Sequence, residues 1–581
     1  MTTRLRRSLV LTALLGLVLG VSGAAAPVGL AANPPDTRVA GIDVDATTIP
    51  ELQELMNARR LKSVQLTQFY LRRIRQLNPT LNAVITVSPT ALADARAADA
   101  ARRSGDDRPL LGIPIIVKDN INTTGMPTTA GSFALEGSTP DDAFIVQQLK
   151  AAGALVIGKA NLSEWANFRS GPSSSGWSGI GGQTNMAYVL DRNPCGSSSG
   201  PGVIASADLA VAAVGTETDG SIVCPSGANA NAGIKPTLGL LSRAGVIPIS
   251  ADQDTAGPMA RNMTDAAVLL GAMTGVDPDD PATADQVGNA FTDYTPFLNP
   301  AALQGARIGV WREFSFEVGG VPVDEDVSAI MEDTIAALEA AGATIVDAAD
   351  IPFGDWANAE FPALLCEFKT DIATYLETYT GPGYPKTLQD LIDFNNDNPD
   401  LESGAPESNW NSLIFDIAQE TGGRDADCAA QRAIATPGAQ AAIDDLMAAE
   451  NLDAIIAPTN GPAWLTDPVN GDLGGDFSTF IGSSGPPAVA GYANVTVPAG
   501  FVGPLPVGVS FIGGRWEEPT LIGLAYAFEQ ATQVRVPPDF IPTIGDDASA
   551  SRQPSSHEKQ KAEKQTAVVP GRRGTWRIPP L

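Results

Sequence analysis

Apolar residues along this chain change rhythm several times, and each change predicts an element. After Thr48 and Pro50, the residues Leu52, Leu55 and Met56 recur at helical spacing, which predicts a capped amphipathic helix. Ser63 stands where it would cap a second, with Leu66, Phe69, Tyr70 and Ile74 on one face and Arg72, Arg73 and Arg75 largely outside. An alanine-rich helix from Pro89 to Ser104 comes next. Leu110 to Val117 is then almost unbroken apolar sequence, the pattern of a buried strand, and it ends on Lys118. Gly153 to Ala160 and Val203 to Val214 have the same buried character.

From Gly305 short strands alternate with helices: Arg307 to Val310, a helix over Asp326 to Ala341, then Thr344 to Val346. Residues 355 to 440 are more helical and polar, with a loop of Asn, Asp and Pro near Asn395 to Asn409. They form an expected insertion that would wall one side of a substrate cleft. Strands return at Asn451 to Pro458, Val489 to Pro498 and Pro506 to Ile512, and a last helix covers Glu517 to Gln530. The pattern predicts an α/β fold with a helical insertion, one large domain over 27–545. Residues 546–581 are rich in Ser, Lys and Gln and read as a tail without a core.

Composition adds constraints. The 581 residues are 44% apolar, enough for a large core, and the net charge is −29. Because the tail is locally basic, the body is more acidic still, which argues against nucleic acid and anionic membrane as partners. Residues 1–26 combine Arg4, Arg6 and Arg7 with an apolar run from Leu9 to Val21 and an Ala24-Ala25-Ala26 ending, the signature of an export signal. The expected location is periplasmic or secreted. No later stretch is long and apolar enough to span a membrane. Cys195, Cys224, Cys366 and Cys428 are few for an exported protein; Cys195 and Cys224, each beside a serine of the candidate site, are expected close in space, as small buried packing residues rather than as a disulfide.

The candidate chemistry begins with an exclusion. The chain has one histidine, His557, and it lies in the tail, so neither a Ser-His-Asp triad nor a histidine-rich metal site is available. A serine can instead be activated by a lysine held neutral through burial, and Lys118 at the end of an apolar strand is placed for that. Two small-residue loops, Cys195 to Gly200 and Thr216 to Ser221, flank the Val203–Val214 run and suit close approach of backbone to a ligand. Gly153 to Ala160 nearly matches a phosphate loop. It has alanine where a magnesium-binding hydroxyl is needed and apolar residues between its glycines, so a buried strand is the better reading.

GIPIIVKDNI, GSSSG, TETDGSIVCPS and GIKPTLGLLSRAGVIP, in this order, resemble the amidase signature family, over about Ile49 to Thr532. The resemblance implies a mixed central β-sheet covered by helices on both faces, with a helix after Ala160 that Asn161 or Ser163 would cap. It implies a Ser–Ser–Lys triad: Lys118 as base, Ser197 as the bridging serine after a cis peptide bond, and Ser221 as acyl-forming nucleophile. The 24 positions between Ser197 and Ser221 match the family's spacing. Backbone N–H groups among Thr218, Asp219 and Gly220 would then meet the oxyanion, with Ser198 and Glu217 in support.

No metal or organic cofactor is implied. Many members carry Gly-Gly-Ser-Ile-Arg around the nucleophile; here Asp219-Gly220-Ser221-Ile222-Val223-Cys224, with NPCGSSSG and QDTAGPM, is similar to the peptide amidase branch. That branch releases ammonia from C-terminally amidated peptides without cutting internal bonds. Alternatives are a broader aryl, alkyl or fatty-acid amidase, a subunit of a tRNA-dependent amidotransferase, and a non-catalytic binding protein on the same fold.

Overall fold

The computed structural model describes residues 36–544 apart from 172, 403–410 and 473–481. The expected export segment, the tail with His557 and part of the Asn395–Asn409 loop lie outside these residues.

The main sheet has eleven strands: β1 (Val84–Val87), β2 (Pro114–Lys118), β3 (Leu155–Ala160), β4 (Ala212–Glu217), β5 (Ala232–Lys235), β6 (Thr255–Ala260), β7 (Arg307–Val310), β8 (Thr344–Asp347), β9 (Ala454–Pro458), β10 (Asn494–Val502) and β11 (Leu505–Ile512). Their order is β8-β7-β9-β11-β10-β5-β6-β4-β2-β3-β1. β2 runs parallel to both β3 and β4, while β4–β6, β6–β5 and the β5–β10–β11–β9 succession are antiparallel. Helices cover both faces of this mixed sheet. Every residue of β2, β3 and β4 is buried, which is why these strands read as continuous apolar runs without alternation. The near-match to a phosphate loop is accordingly the buried strand β3.

The first helix, Ile49–Asn57, is capped by Thr48 and Glu51 in a reciprocal box, as its sequence predicts. The second, Ser63–Leu81, departs in two details. Its cap position is Lys62, and the Ser63 hydroxyl instead donates 2.7 Å to the Gly112 carbonyl. Arg73 is not outside but 4% exposed, with Nε donating 2.9 Å to Asp208 O and Nη2 2.8 Å to Ala207 O. Its guanidinium thus satisfies carbonyls at the end of the helix Ser199–Ser206, a role that helical periodicity cannot signal.

Two other expectations are corrected. The element directly after Ala160 is not an α-helix but a 3-10 turn, Glu164–Asn167, with Ser163 at its cap position and Trp165 and Ala166 in left-handed backbone angles; Trp165 is buried. Val489 lies in a short helix, Gly485–Ala490, and the strand starts only at Asn494, because Gly491 turns the chain between them.

The insertion is built on two 25-residue helices, Asp355–Tyr379 and Ala426–Glu450, with Leu388–Asp397 and Leu413–Glu420 beside them. Phe368, Phe415, Leu364 and Ile372 form a second apolar core that takes in Trp165 and Phe168 from the main domain. All four cysteines are bonded: Cys195 to Cys224, which lie close together as expected but as a disulfide rather than as packing residues, and Cys366 to Cys428. The fold brings the paired Cα atoms to 6.0 and 5.8 Å, within disulfide reach, although 29 and 62 positions separate them in the chain.

Candidate active site

The carboxyl ends of the adjacent parallel strands β2 and β4 form the floor of the site. Lys118 ends β2, and Thr216 and Glu217 end β4. Lys118 has no solvent exposure; its Nζ is hydrogen-bonded to Ser197 Oγ at 2.8 Å and donates 2.9 Å to Thr216 Oγ1 and 3.2 Å to the Thr216 carbonyl. Burial disfavours its charge, the carboxylates of Asp254 and Glu217 oppose this only in part, and its pKa falls to about 7.

Lys159, on the neighbouring strand β3 and equally buried, is a useful contrast. Its Nζ lies 3.3 Å from Asp119 Oδ1 and donates 2.7 Å to Thr128 Oγ1. Burial pushes Asp119 up and Lys159 down, and the pair offsets this by mutual attraction. Lys159→Met is therefore expected to cost about 3–5 kcal/mol, because it leaves the Asp119 carboxylate buried without a counter-charge. Urea unfolding of Lys159→Met, and of the double variant with Asp119→Asn that removes the stranded charge, checks this: the second change should recover most of the loss.

Ser197 follows a cis peptide bond from Gly196 and is fully buried. Ser198 Oγ donates 3.0 Å to Thr216 O and accepts from Thr216 N at 3.2 Å, which locks this loop to the end of β4. Ser198 N also donates 3.1 Å to the Ser221 carbonyl, so the two serine loops touch through backbone. The helix Ser199–Ser206 starts here. At Gly200 a Cβ would stand 2.3 Å from Asn161 O, so only glycine permits this approach to the end of β3.

Ser221 closes the turn that leaves β4, with Gly220 at φ +79° and the side chain 8% exposed. Its hydroxyl has no hydrogen-bond partner among the described residues. Nor do the N–H groups of Thr218, Asp219, Gly220 and Ser221 donate to any of them, four successive donors left open in one turn. Glu217 fastens the exit of the turn, its Oε2 accepting from Ile222 N at 2.7 Å and Val223 N at 3.0 Å. Burial raises the Glu217 pKa, opposed by Lys235. The Cys195–Cys224 disulfide brackets the whole arrangement, two residues before Ser197 and three after Ser221.

The structure thus brings Lys118, Ser197, Ser198, Glu217 and the Thr218–Ser221 turn into one place. Sequence reasoning missed Thr216, which accepts from both Lys118 and, through Oγ1, Asn120 Nδ2 at 2.9 Å. It also missed Asp254, whose Oδ1 accepts 2.5 Å from Thr218 Oγ1 and whose pKa burial raises to about 6. Lys235, buried on β5, escaped notice too. Thr216, Lys235 and Asp254 all lie within quoted motifs, but only their position identifies what they touch. Asp219 is reached by solvent although protein surrounds it, and it helps burial to push the nearby Glu360 up to about 8. Among the described residues no group of His, Cys, Asp and Glu is arranged to hold a metal ion, and no helix is long and apolar enough to cross a membrane.

A family model described as Amidase matches residues 65–522. A probable amidase of Arabidopsis thaliana is 38% identical over 513 residues, covering 86% of this chain and 92% of that protein. The crystal structure of the native peptide amidase of Stenotrophomonas maltophilia superposes with a TM-score of 0.79 at 46% identity, covering 85% of this chain and 98% of that one. One subunit of the glutamyl-tRNA(Gln) amidotransferase of Acinetobacter baumannii is 34% identical over 504 residues, 84% of this chain and 97% of that protein.

Proposed function

Since the chain belongs to the amidase signature family and is an amide-hydrolysing enzyme, we propose that it is an exported peptide amidase working through Lys118, Ser197 and Ser221. One observation carries the mechanism: Lys118 is buried against hydroxyls and a carbonyl rather than a carboxylate, and it is hydrogen-bonded to Ser197. Such a lysine is a base at neutral pH, whereas Lys159 beside Asp119 is a structural cation.

In the forward step neutral Lys118 takes the Ser197 proton, Ser197 takes that of Ser221, and Ser221 Oγ attacks the amide carbonyl carbon. A hydroxyl can relay in this way because it both donates and accepts. The open N–H groups of the Thr218–Ser221 turn stabilise the oxyanion. Lys118 returns its proton through Ser197 to the leaving nitrogen, ammonia departs, and water hydrolyses the acyl-enzyme by the same relay.

The likeness to a peptide amidase at 46% identity supports a C-terminal peptide carboxamide as substrate. The segment Met1 to Ala26 supports export and speaks against a tRNA-dependent amidotransferase working in the cytoplasm. Protein beginning after Ala26, incubated with an amidated peptide and with its free-acid counterpart, is expected to release ammonia from the first alone, with a mass change on deamidation of that peptide only. Turnover of a simple aryl amide with no ammonia from either peptide would overturn the peptide assignment and leave a broader amidase.

A further inference from the structure

Gln253 lies outside the triad, 1% exposed, with every polar atom of its side chain engaged. Its Nε2 donates 3.0 Å to the Thr218 carbonyl and 2.6 Å to Glu360 Oε1, and its Oε1 accepts 3.0 Å from Arg432 Nη1. Arg432 also grips Glu367 by two bonds, at 2.8 and 2.6 Å. The connections then return to their start. Glu367 Oε2 accepts 2.5 Å from Ser250 Oγ, Ser250 N donates 2.9 Å to Asp254 Oδ2, and Asp254 Oδ1 accepts from the Thr218 hydroxyl. Thr218 is therefore held by both its carbonyl and its hydroxyl in a closed ring.

That ring passes through both long helices of the insertion. Glu367 lies on Asp355–Tyr379 next to Cys366, and Arg432 lies on Ala426–Glu450 one turn from Cys428, so the Cys366–Cys428 disulfide joins the two helices beside their ion pair. The consequence for the site comes from peptide planarity. The Thr218 carbonyl and the Asp219 N–H belong to one peptide unit and point in opposite directions when it is trans. A donor that fixes the carbonyl on one side fixes the aim of the N–H on the other.

We propose that Gln253 is a positioning residue: by holding the Thr218 carbonyl against the insertion it aims the Asp219 N–H at the oxyanion formed on Ser221. This rests on Ser221 being the nucleophile, and it makes the insertion part of the catalytic apparatus as well as a wall. Gln253→Glu, made together with Glu360→Gln so that no two carboxylates face each other, is the informative variant, because it keeps an acceptor for Arg432 and a donor–acceptor pair with position 360 and removes only the donor to Thr218; Gln253→Ala removes all three contacts.

The test is kcat and KM on an amidated dipeptide, the rate of Ser221 labelling by a serine-reactive phosphonate, and the melting temperature, for wild type and both variants. Loss of one aimed oxyanion donor is expected to lower kcat and the labelling rate about 100-fold in the Gln253→Glu, Glu360→Gln double variant, with KM within about threefold and little change in melting. A kcat and labelling rate within about threefold of wild type would overturn the proposal while leaving the triad in place. So would a fall in kcat matched by loss of folded protein. Wild type that does not label at Ser221 would overturn the triad and this proposal together.

Discussion

Lys118→Met is expected to lower kcat by about 10⁴-fold or more while the protein remains at least as stable as wild type at pH 7. The first half follows from the relay: methionine fills the space of the lysine stem but takes no proton, so Ser197 and then Ser221 stay protonated. The second follows from the direction of the pKa shift. In the unfolded chain the lysine titrates near its ordinary value of 10.5; in the fold it titrates at about 7 because it is buried. Between these values the unfolded state binds the extra proton, so the lysine burdens the fold, fully below about pH 7 and progressively less as pH rises toward 10.5.

The variant carries no such burden. Its advantage in urea unfolding should be largest at and below pH 7 and shrink above it. The same shift sets the activity profile of the wild type: kcat is expected to rise with pH through about 7, as Lys118 loses its proton, and then level off. A variant retaining more than one per cent of wild-type turnover would remove Lys118 from the mechanism.

Ser221→Ala is expected to abolish turnover, by about 10⁵-fold or more, and to eliminate phosphonate labelling altogether. The Ser221 hydroxyl has no hydrogen-bond partner among the described residues, so its loss strands no buried group. Melting should be unchanged. The Lys118–Ser197 hydrogen bond does not involve Ser221 and should persist in a crystal structure of the variant. Labelling of the variant at another serine, with activity retained, would show that the nucleophile lies elsewhere.

The most specific inference from sequence alone came from what is absent. A single histidine in the tail excludes the commonest way of activating a serine, whatever the fold. Lys118 was legible because an apolar run that ends in lysine conflicts with the cost of burying charge, and such conflicts mark function. The strands of the main sheet were legible for a related reason. Burial on both faces demands long apolar runs, and those survive in one dimension.

What depended on three dimensions was pairing. Lys118 and Lys159 lie near the ends of neighbouring buried strands, and only the fold places Asp119 beside Lys159 and sets Lys118 against hydroxyls and a carbonyl. Arg73 continues a helical pattern that puts it outside, yet it reaches the carbonyls of a helix more than 130 positions away. The four cysteines became two disulfides once folding brought their Cα atoms within reach. The Gln253 ring joins residues from the Thr218–Ser221 turn, the QDTAGPM stretch and both insertion helices, and no local pattern relates them. Periodicity records which face of an element is buried, because burial acts on each residue alone. Hydrogen bonds, ion pairs and disulfides act between two residues, and which two meet is decided only when the chain has folded.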